Sequence, residues 1–106
     1  IGEVENRDVL LMDDMISTAG TITDASRMVK GHVARDVYSA ATHGLFCGSA
    51  LERIAASDVK SIFVTDTVRP LADYPDRIEI LSVAPLLAEA IQRIHTAGSI
   101  SQLFIE

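Results

Sequence analysis

Apolar positions along this chain follow two patterns, short continuous runs and longer stretches with helical spacing. The continuous run VLLM (9–12) is typical of a strand that is buried on both faces. The helical spacing of Ile22, Ala25 and Val29 predicts a helix over 19–30, and Gly31 is a suitable stop. By the same criteria, further strands are expected over 36–42, 61–67 and 78–83, and further helices over 49–57 and 84–95.

Individual residues predict how these helices begin and which way they face. Ser49 and Glu52 form an S-x-x-E pattern, which predicts a capping box for the second helix. Ser82 is expected to cap the third helix, with Pro85 in its first turn. The apolar stripe of that helix is expected to face the core; it consists of Leu86, Leu87, Ala90, Ile91 and Ile94.

The alternating order of strands and helices predicts an α/β fold with a parallel sheet and flanking helices. In such sheets, ligands bind at the carboxyl ends of the strands. Three predicted strands end in polar residues, which are therefore expected to meet at one edge: Asp13 and Asp14, Thr42 and His43, and Thr65, Asp66 and Thr67.

The segment DDMISTAGT (13–21) combines a carboxylate pair with a small, hydroxyl-rich turn. Asp13 and Asp14 suit hydrogen bonds to a sugar diol or attraction of a hard cation such as Mg²⁺. The turn lets backbone N–H groups at a helix N-terminus approach an anion. Together they indicate a ligand with a diol and a phosphate, such as ribose 5-phosphate. The alternative is an ordinary acidic turn without a ligand.

Composition narrows the classes of partner. The chain has 106 residues, 48% of them hydrophobic, which suits one small domain or part of a larger one. A net charge of −6 disfavours nucleic acid and anionic membranes as partners. No Lys or Arg lies in or next to 13–21, so backbone groups, hydroxyls or a metal ion would have to hold a phosphate. The single cysteine favours a reducing compartment, and we expect a cytoplasmic protein.

The cysteine and the three histidines give little indication of a catalytic or metal site. Cys47 is expected to pack as a small apolar residue. His43 is expected to be a structural turn residue, and His32 and His95 are expected at the surface. These groups are too few and too scattered for a zinc site. A phosphoacceptor signalling domain also begins with an acidic pair, but the later strands lack its further aspartate and its lysine.

The segment 13–21 resembles the phosphoribosyl-pyrophosphate loop that phosphoribosyltransferases share with ribose-phosphate pyrophosphokinase. Three further segments are similar to the carboxyl-terminal part of the latter family: ATHGLFCGSALERI (41–54), VTDT (64–67) and LSVAPLLAEAIQRIHTAGSISQLF (81–104). The resemblance covers nearly the whole chain. It implies a partial phosphoribosyltransferase-like domain from an enzyme that transfers pyrophosphate from Mg-ATP to ribose 5-phosphate, giving phosphoribosyl pyrophosphate for nucleotide synthesis.

The resemblance also implies roles for individual residues. Asp13 and Asp14 would engage the ribose hydroxyls, and the 5-phosphate would be wrapped by Ser17, Thr18, Ala19, Gly20 and Thr21. A regulatory phosphate site near a subunit interface would use Ser99, Ser101 and Phe104, although this tail is equally compatible with a frayed terminus. Ser17 departs from the family, which usually has aspartate there.

The family resemblance further implies an ATP-binding domain and a basic catalytic loop upstream of residues 1–106. We therefore expect the chain alone to be inactive, and we expect its uncovered sheet edge and helix faces to favour a homo-oligomer. The alternatives are a true phosphoribosyltransferase and a non-catalytic regulatory relative of the synthetase.

Overall fold

A four-stranded, all-parallel sheet organises the chain, as the alternating pattern predicted. The computed structural model describes residues 2–104, except for the side chain of Gln102. The strands lie in the order β1-β2-β3-β4 and are β1 (Val9–Ile16), β2 (Val37–Gly44), β3 (Val59–Thr65) and β4 (Ile78–Leu81). The helices are α1 (Gly20–Gly31), α2 (Ala50–Ala55) and α3 (Ala84–His95), and a short 3₁₀ turn spans Ser101–Leu103.

The core lies on one face of the sheet, beneath α1 and α2. Ile22 of α1 and Ile54 of α2 pack there against Ile62 and Val64 of β3, and all four side chains are buried. The opposite face is less covered, since Leu10 and Met12 of β1 remain exposed. Among the described residues, no helix has both the length and the apolar character needed to cross a bilayer.

Strand β1 is longer than its apolar run predicted. It extends beyond Met12 to Ile16, where it still pairs with Gly44 of β2. The backbone hydrogen bonds of the parallel ladder stabilise this extension, whatever the polarity of the side chains. As a result, Asp13 and Asp14 lie within the strand and not after it.

The predicted capping box of α2 is wrong. Ser49 makes no side-chain capping hydrogen bond, and its backbone (φ −86°, ψ 18°) lies outside the extended region usual at such caps. The start of α3 is closer to the prediction, because the Ser82 hydroxyl accepts the N–H of Ala84 at 3.1 Å. The N-cap position itself is occupied by Val83, which has no capping side chain.

The apolar stripe of α3 does not face the core, contrary to the sequence prediction. The bounds of α3 match the expected 84–95, but none of its residues is buried. Leu86, Leu87, Ile91 and Ile94 are each at least half exposed. Periodicity shows that a helix has an apolar face but not what that face contacts, and within residues 2–104 the stripe packs on no other layer.

Two hydroxyls are buried where α1 covers β2. Ser26 of α1 and Ser39 of β2 both have 0% exposure. Neither Oγ atom has a hydrogen-bond partner within the described part of the chain. Small side chains allow a helix to lie close to a sheet, but an unpaired buried hydroxyl loses its hydration without compensation.

Candidate functional site

Polar residues at the ends of β2 and β3 meet at one edge of the sheet, as the sequence predicted for these two strands. The His43 Nδ1 lies 2.7 Å from the Thr67 Oγ1, and the Thr65 hydroxyl donates to the Thr42 carbonyl oxygen at 2.6 Å. These bonds join the ends of β2 and β3. His43 was expected in a turn but lies near the end of β2, where it is half-buried and hydrogen-bonded to Thr67. His32 and His95 are exposed, as predicted.

Asp66 joins the end of β3 to the start of α3. Its Oδ1 accepts the Val83 N–H at 2.9 Å, and its Oδ2 accepts the Ser82 hydroxyl at 2.7 Å. These two hydrogen bonds stabilise the carboxylate and hold the pKa of Asp66 below its ordinary value, although the group is exposed. Asp66 is therefore occupied in anchoring α3.

The structure separates the two carboxylates of the acidic pair. Asp13 and Asp14 are consecutive in an extended strand, so their side chains leave opposite faces of the sheet. Asp14 is one of the residues that line a cavity of about 230 Å³ formed by residues 14–22, whereas Asp13 is one of the residues that line a second cavity of about 210 Å³. Both are exposed, and the Asp13 Oδ1 accepts the N–H of Asp14 at 2.8 Å.

Residues 17–19 connect β1 to α1, and their carbonyl groups are all engaged. The Ser17 oxygen accepts the N–H of Cys47 at 2.7 Å, and the Thr18 oxygen accepts Nη1–H of Arg53 at 3.2 Å. The Ala19 oxygen accepts both the N–H and the hydroxyl of Thr23. The Ser17 carbonyl thus faces the connection between β2 and α2, the Thr18 carbonyl faces α2, and the Ala19 carbonyl faces the first turn of α1.

The amide N–H groups of the same loop are free by contrast. Within residues 2–104, the N–H groups from Thr18 to Ile22 have no hydrogen-bond acceptor. Ala19 adopts the left-handed conformation (φ 65°, ψ 8°) immediately before the first turn of α1. Successive N–H groups in such a turn, at the positive end of a helix dipole, make a concavity suited to an anion.

Arg53 brings a basic side chain to this loop, although no Lys or Arg lies in or next to the loop in the sequence. It lies 35 residues after Thr18, yet its guanidinium donates to the Thr18 carbonyl. Linear spacing gave no sign of this contact, because it depends on how α2 packs beside α1. Cys47 is exposed, so its predicted packing as a buried apolar residue is wrong, and its backbone N–H is the group that contacts the loop.

The predicted regulatory residues lie together after α3, away from the loop. The Ser99 and Ser101 Oγ atoms are 2.7 Å apart, and both residues are exposed. Phe104 is 70% exposed and, with Leu86 and Ile100 among other residues, lines an apolar cavity of about 250 Å³. Nothing in this arrangement tests a regulatory role, which stays a prediction.

No group of three or more His, Cys, Asp or Glu side chains within residues 2–104 is arranged to hold a metal ion. The carboxylates of Asp13 and Asp14 are nevertheless exposed oxygen donors of the type that Mg²⁺ prefers.

Comparisons with known proteins identify the family of the chain. Residues 1–105 match the family described as the phosphoribosyl synthetase-associated domain. A ribose-phosphate pyrophosphokinase from Rhodopirellula baltica is 50% identical over 107 residues, which cover 99% of this chain and 34% of the relative. A ribose-phosphate pyrophosphokinase from Caldanaerobacter subterraneus subsp. tengcongensis is 45% identical over 106 residues, covering 98% of this chain and 33% of the relative.

The fold is similar to that of a solved relative. Phosphoribosylpyrophosphate synthetase from Mycobacterium smegmatis superposes with a TM-score of 0.84 at 37% identity, covering 92% of this chain and 33% of that one. The predicted α/β class with a parallel sheet and flanking helices is confirmed. The chain spans about one third of the length of the relatives that it matches. Through its phosphoribosyl synthetase-associated domain, the chain belongs to the ribose-phosphate pyrophosphokinase family.

Proposed function

We propose that the chain is the ribose 5-phosphate-binding part of a ribose-phosphate pyrophosphokinase, corresponding to its carboxyl-terminal, phosphoribosyltransferase-like domain. The observation that carries this proposal is the row of amide N–H groups from Thr18 to Ile22, which are free to bind an anion within the described structure. The loop hydroxyls of Ser17, Thr18 and Thr21 add donors at the same place. The proposal includes a cytoplasmic location.

The carboxylates complete a binding site for a phosphorylated sugar. Asp14 lines the same cavity as the amide groups, so a phosphate held by the loop would leave the sugar hydroxyls within reach of this carboxylate. The side chain of Asp13 leaves the opposite face of β1 and would reach the same ligand only around the edge of the strand. The two acids therefore have unequal roles, and Asp14 is the stronger candidate for binding the ribose diol.

In the proposed reaction, the 1-hydroxyl oxygen of the bound sugar phosphate bonds to the β-phosphorus of Mg-ATP and loses its proton, while the bond from that phosphorus to the α-phosphate oxygen breaks and AMP leaves. Mg²⁺ supplies charge neutralisation for the transferring group when it is bound with ATP. The residues of this chain hold the acceptor: the loop fixes its phosphate end, and the carboxylates orient its hydroxyls. Such positioning is a major part of catalysis in phosphoryl transfer.

An NMR titration of the chain with ribose 5-phosphate, in the presence of Mg²⁺, tests the proposal. The amide resonances of residues 14–22 are expected to shift at millimolar ligand. Asp14→Ala is expected to weaken binding by about 1–3 kcal/mol, as for the loss of a charge-assisted hydrogen bond.

Asp24→Ala is the matched control, because Asp24 is an exposed carboxylate on α1 that lies outside the loop. This variant is expected to bind ribose 5-phosphate like the parent chain. A folded parent chain whose loop resonances do not move would overturn the proposed function, and equal losses in both aspartate variants would remove the specific role of Asp14.

A further inference from the structure

Arg53 lies behind the phosphate loop and not in front of it. Its side chain lines a groove of about 440 Å³ between α1 and α2, which also contains Asp24, Arg27 and Asp58. Gly20 lines both this groove and the cavity formed by residues 14–22, whereas Arg53 lines the groove alone. The loop backbone therefore separates the guanidinium from the cavity where an anion would bind.

The groove itself is a poor anion site. The carboxylates of Asp24 and Asp58 share it with the two arginines, and Arg27 lies 3.4 Å from Asp24 in an exposed ion pair. Arg53 has no carboxylate partner within residues 2–104. Its guanidinium contacts the loop instead: Nη1 donates to the Thr18 carbonyl at 3.2 Å and lies 3.4 Å from the position that a Cβ on Gly20 would occupy.

This contact has a direct consequence for the loop amides. In a trans peptide the C=O of one residue and the N–H of the next point in opposite directions. When the Thr18 carbonyl faces Arg53, the N–H of Ala19 must point away from the groove, towards the opposite side of the loop. The left-handed backbone of Ala19 (φ 65°) belongs to the same turn.

Helix α2 fixes the backbone of Arg53 against the core. Two residues of the same helix, Ala50 and Ile54, have 0% exposure and belong to the core cluster. The N–H of Arg53 also donates to the Ser49 carbonyl at 3.0 Å. A long, otherwise flexible side chain is thus based on a rigid element, as a positioning role requires.

We propose that Arg53 is a positioning residue for phosphate binding: it fixes the Thr18–Ala19 peptide so that the N–H of Ala19 faces the bound phosphate, and it places a positive charge behind the loop. The inference rests on the proposed binding of ribose 5-phosphate. Arg53 itself lies outside the loop and would not touch the ligand.

The test compares ribose 5-phosphate binding by the 106-residue chain and by Arg53→Gln, using NMR titration at low salt and in about 1 M NaCl. Arg53→Gln is expected to raise the Kd about tenfold at low salt and to shift the Ala19 amide resonance even without ligand. At 1 M salt the Debye length falls to about 3 Å, so long-range attraction is screened. If Arg53 shapes the loop, the Kd of Arg53→Gln is expected to stay at least threefold above that of the parent chain at 1 M salt.

Arg27→Gln is the matched control, because it removes an equal charge from the same groove, and the Arg27 guanidinium contacts Asp24 and not the loop. This variant is expected to keep the parent Kd within twofold. If Arg53→Gln does not fold, Arg53→Lys takes its place, since it keeps the charge but lacks the guanidinium fork; a Kd at least threefold above the parent at 1 M salt is then expected.

The outcomes separate the two proposals. If the parent chain does not bind ribose 5-phosphate, the proposed function and this inference both fail. If the parent binds but Arg53→Gln and Arg27→Gln weaken binding equally, or if the effect of Arg53→Gln disappears at 1 M salt, the positioning role is overturned and the proposed function stands.

Discussion

The substitution Ser39→Ala is expected to stabilise the protein, although it removes a polar group from a fully buried position. The Ser39 Oγ has no partner within the described structure, and a buried hydroxyl without a hydrogen bond costs about 1–3 kcal/mol relative to its hydrated state. Alanine keeps the Cβ and leaves a void of about one oxygen atom, which costs roughly 0.5 kcal/mol at about 24 cal/mol per Å³. The net expectation is a gain of about 1 kcal/mol in the free energy of unfolding.

Urea denaturation measures this difference as a rise in the unfolding midpoint at an unchanged m-value. Ser57→Ala is the matched control of opposite sign, since the Ser57 hydroxyl donates to the Ile54 carbonyl at 2.7 Å and accepts the Val59 N–H at 3.3 Å. That variant is expected to lose about 1 kcal/mol. Equal losses in Ser39→Ala and Ser57→Ala would refute the reasoning, because they would show that the Ser39 hydroxyl is paired in solution.

The remaining predictions concern the sheet edge, the α3 anchor, assembly and activity. Gly44→Ala is expected to lower the free energy of unfolding by about 1–3 kcal/mol, because a Cβ there would lie 2.7 Å from the Phe46 ring; an unchanged urea midpoint would contradict this. The folded-state pKa of Asp66 is lowered, so its bonds to α3 contribute stability above the ordinary aspartate pKa and are lost as the pH falls through the lowered value. The Val83 amide resonance should report this with a midpoint below that of an ordinary aspartate; a midpoint at or above it would show that the carboxylate is not stabilised. Light scattering is expected to show a dimer or larger assembly at micromolar concentration, since α3 exposes Leu87 and Ile91, whereas an 11.4 kDa species unchanged by dilution would argue against it. The chain alone is expected to release no AMP from ATP with ribose 5-phosphate, and clear release that depends on the sugar would overturn that expectation.

The loop between β1 and α1 was predicted in part from the sequence and in part only from the structure. Small residues and hydroxyls after a strand indicated an anion site, because a close backbone approach requires such side chains. The pairing of each loop carbonyl with Cys47, Arg53 or Thr23 was not visible, since two of these partners lie about thirty residues further along the chain. Only the packing of α2 beside α1 places Arg53 against Thr18.

For the acidic pair, Asp13 and Asp14, the sequence predicted the residues of interest but not the directions of their side chains. Two adjacent aspartates predicted a shared ligand, on the assumption that the chain turns at that point. The pairing of β1 with β2 continues through Met15 and Ile16, so the backbone stays extended and the two side chains leave opposite faces of the strand. The length of a strand depends on its neighbour's hydrogen bonds, which the strand's own residues do not encode.

The sequence by itself determined the type and order of the elements, and hence the α/β class. Apolar positions repeat with a different period in helices and in strands, and this period can be read from a segment alone. For this reason the bounds of α3 were predicted to the residue. Tertiary structure decided what each face contacts. The stripe of α3 was expected in the core and is exposed, while Arg53, remote in sequence, reaches the loop. Periodicity records that a segment has an apolar side, whereas contact depends on which other segments the folded chain brings against it.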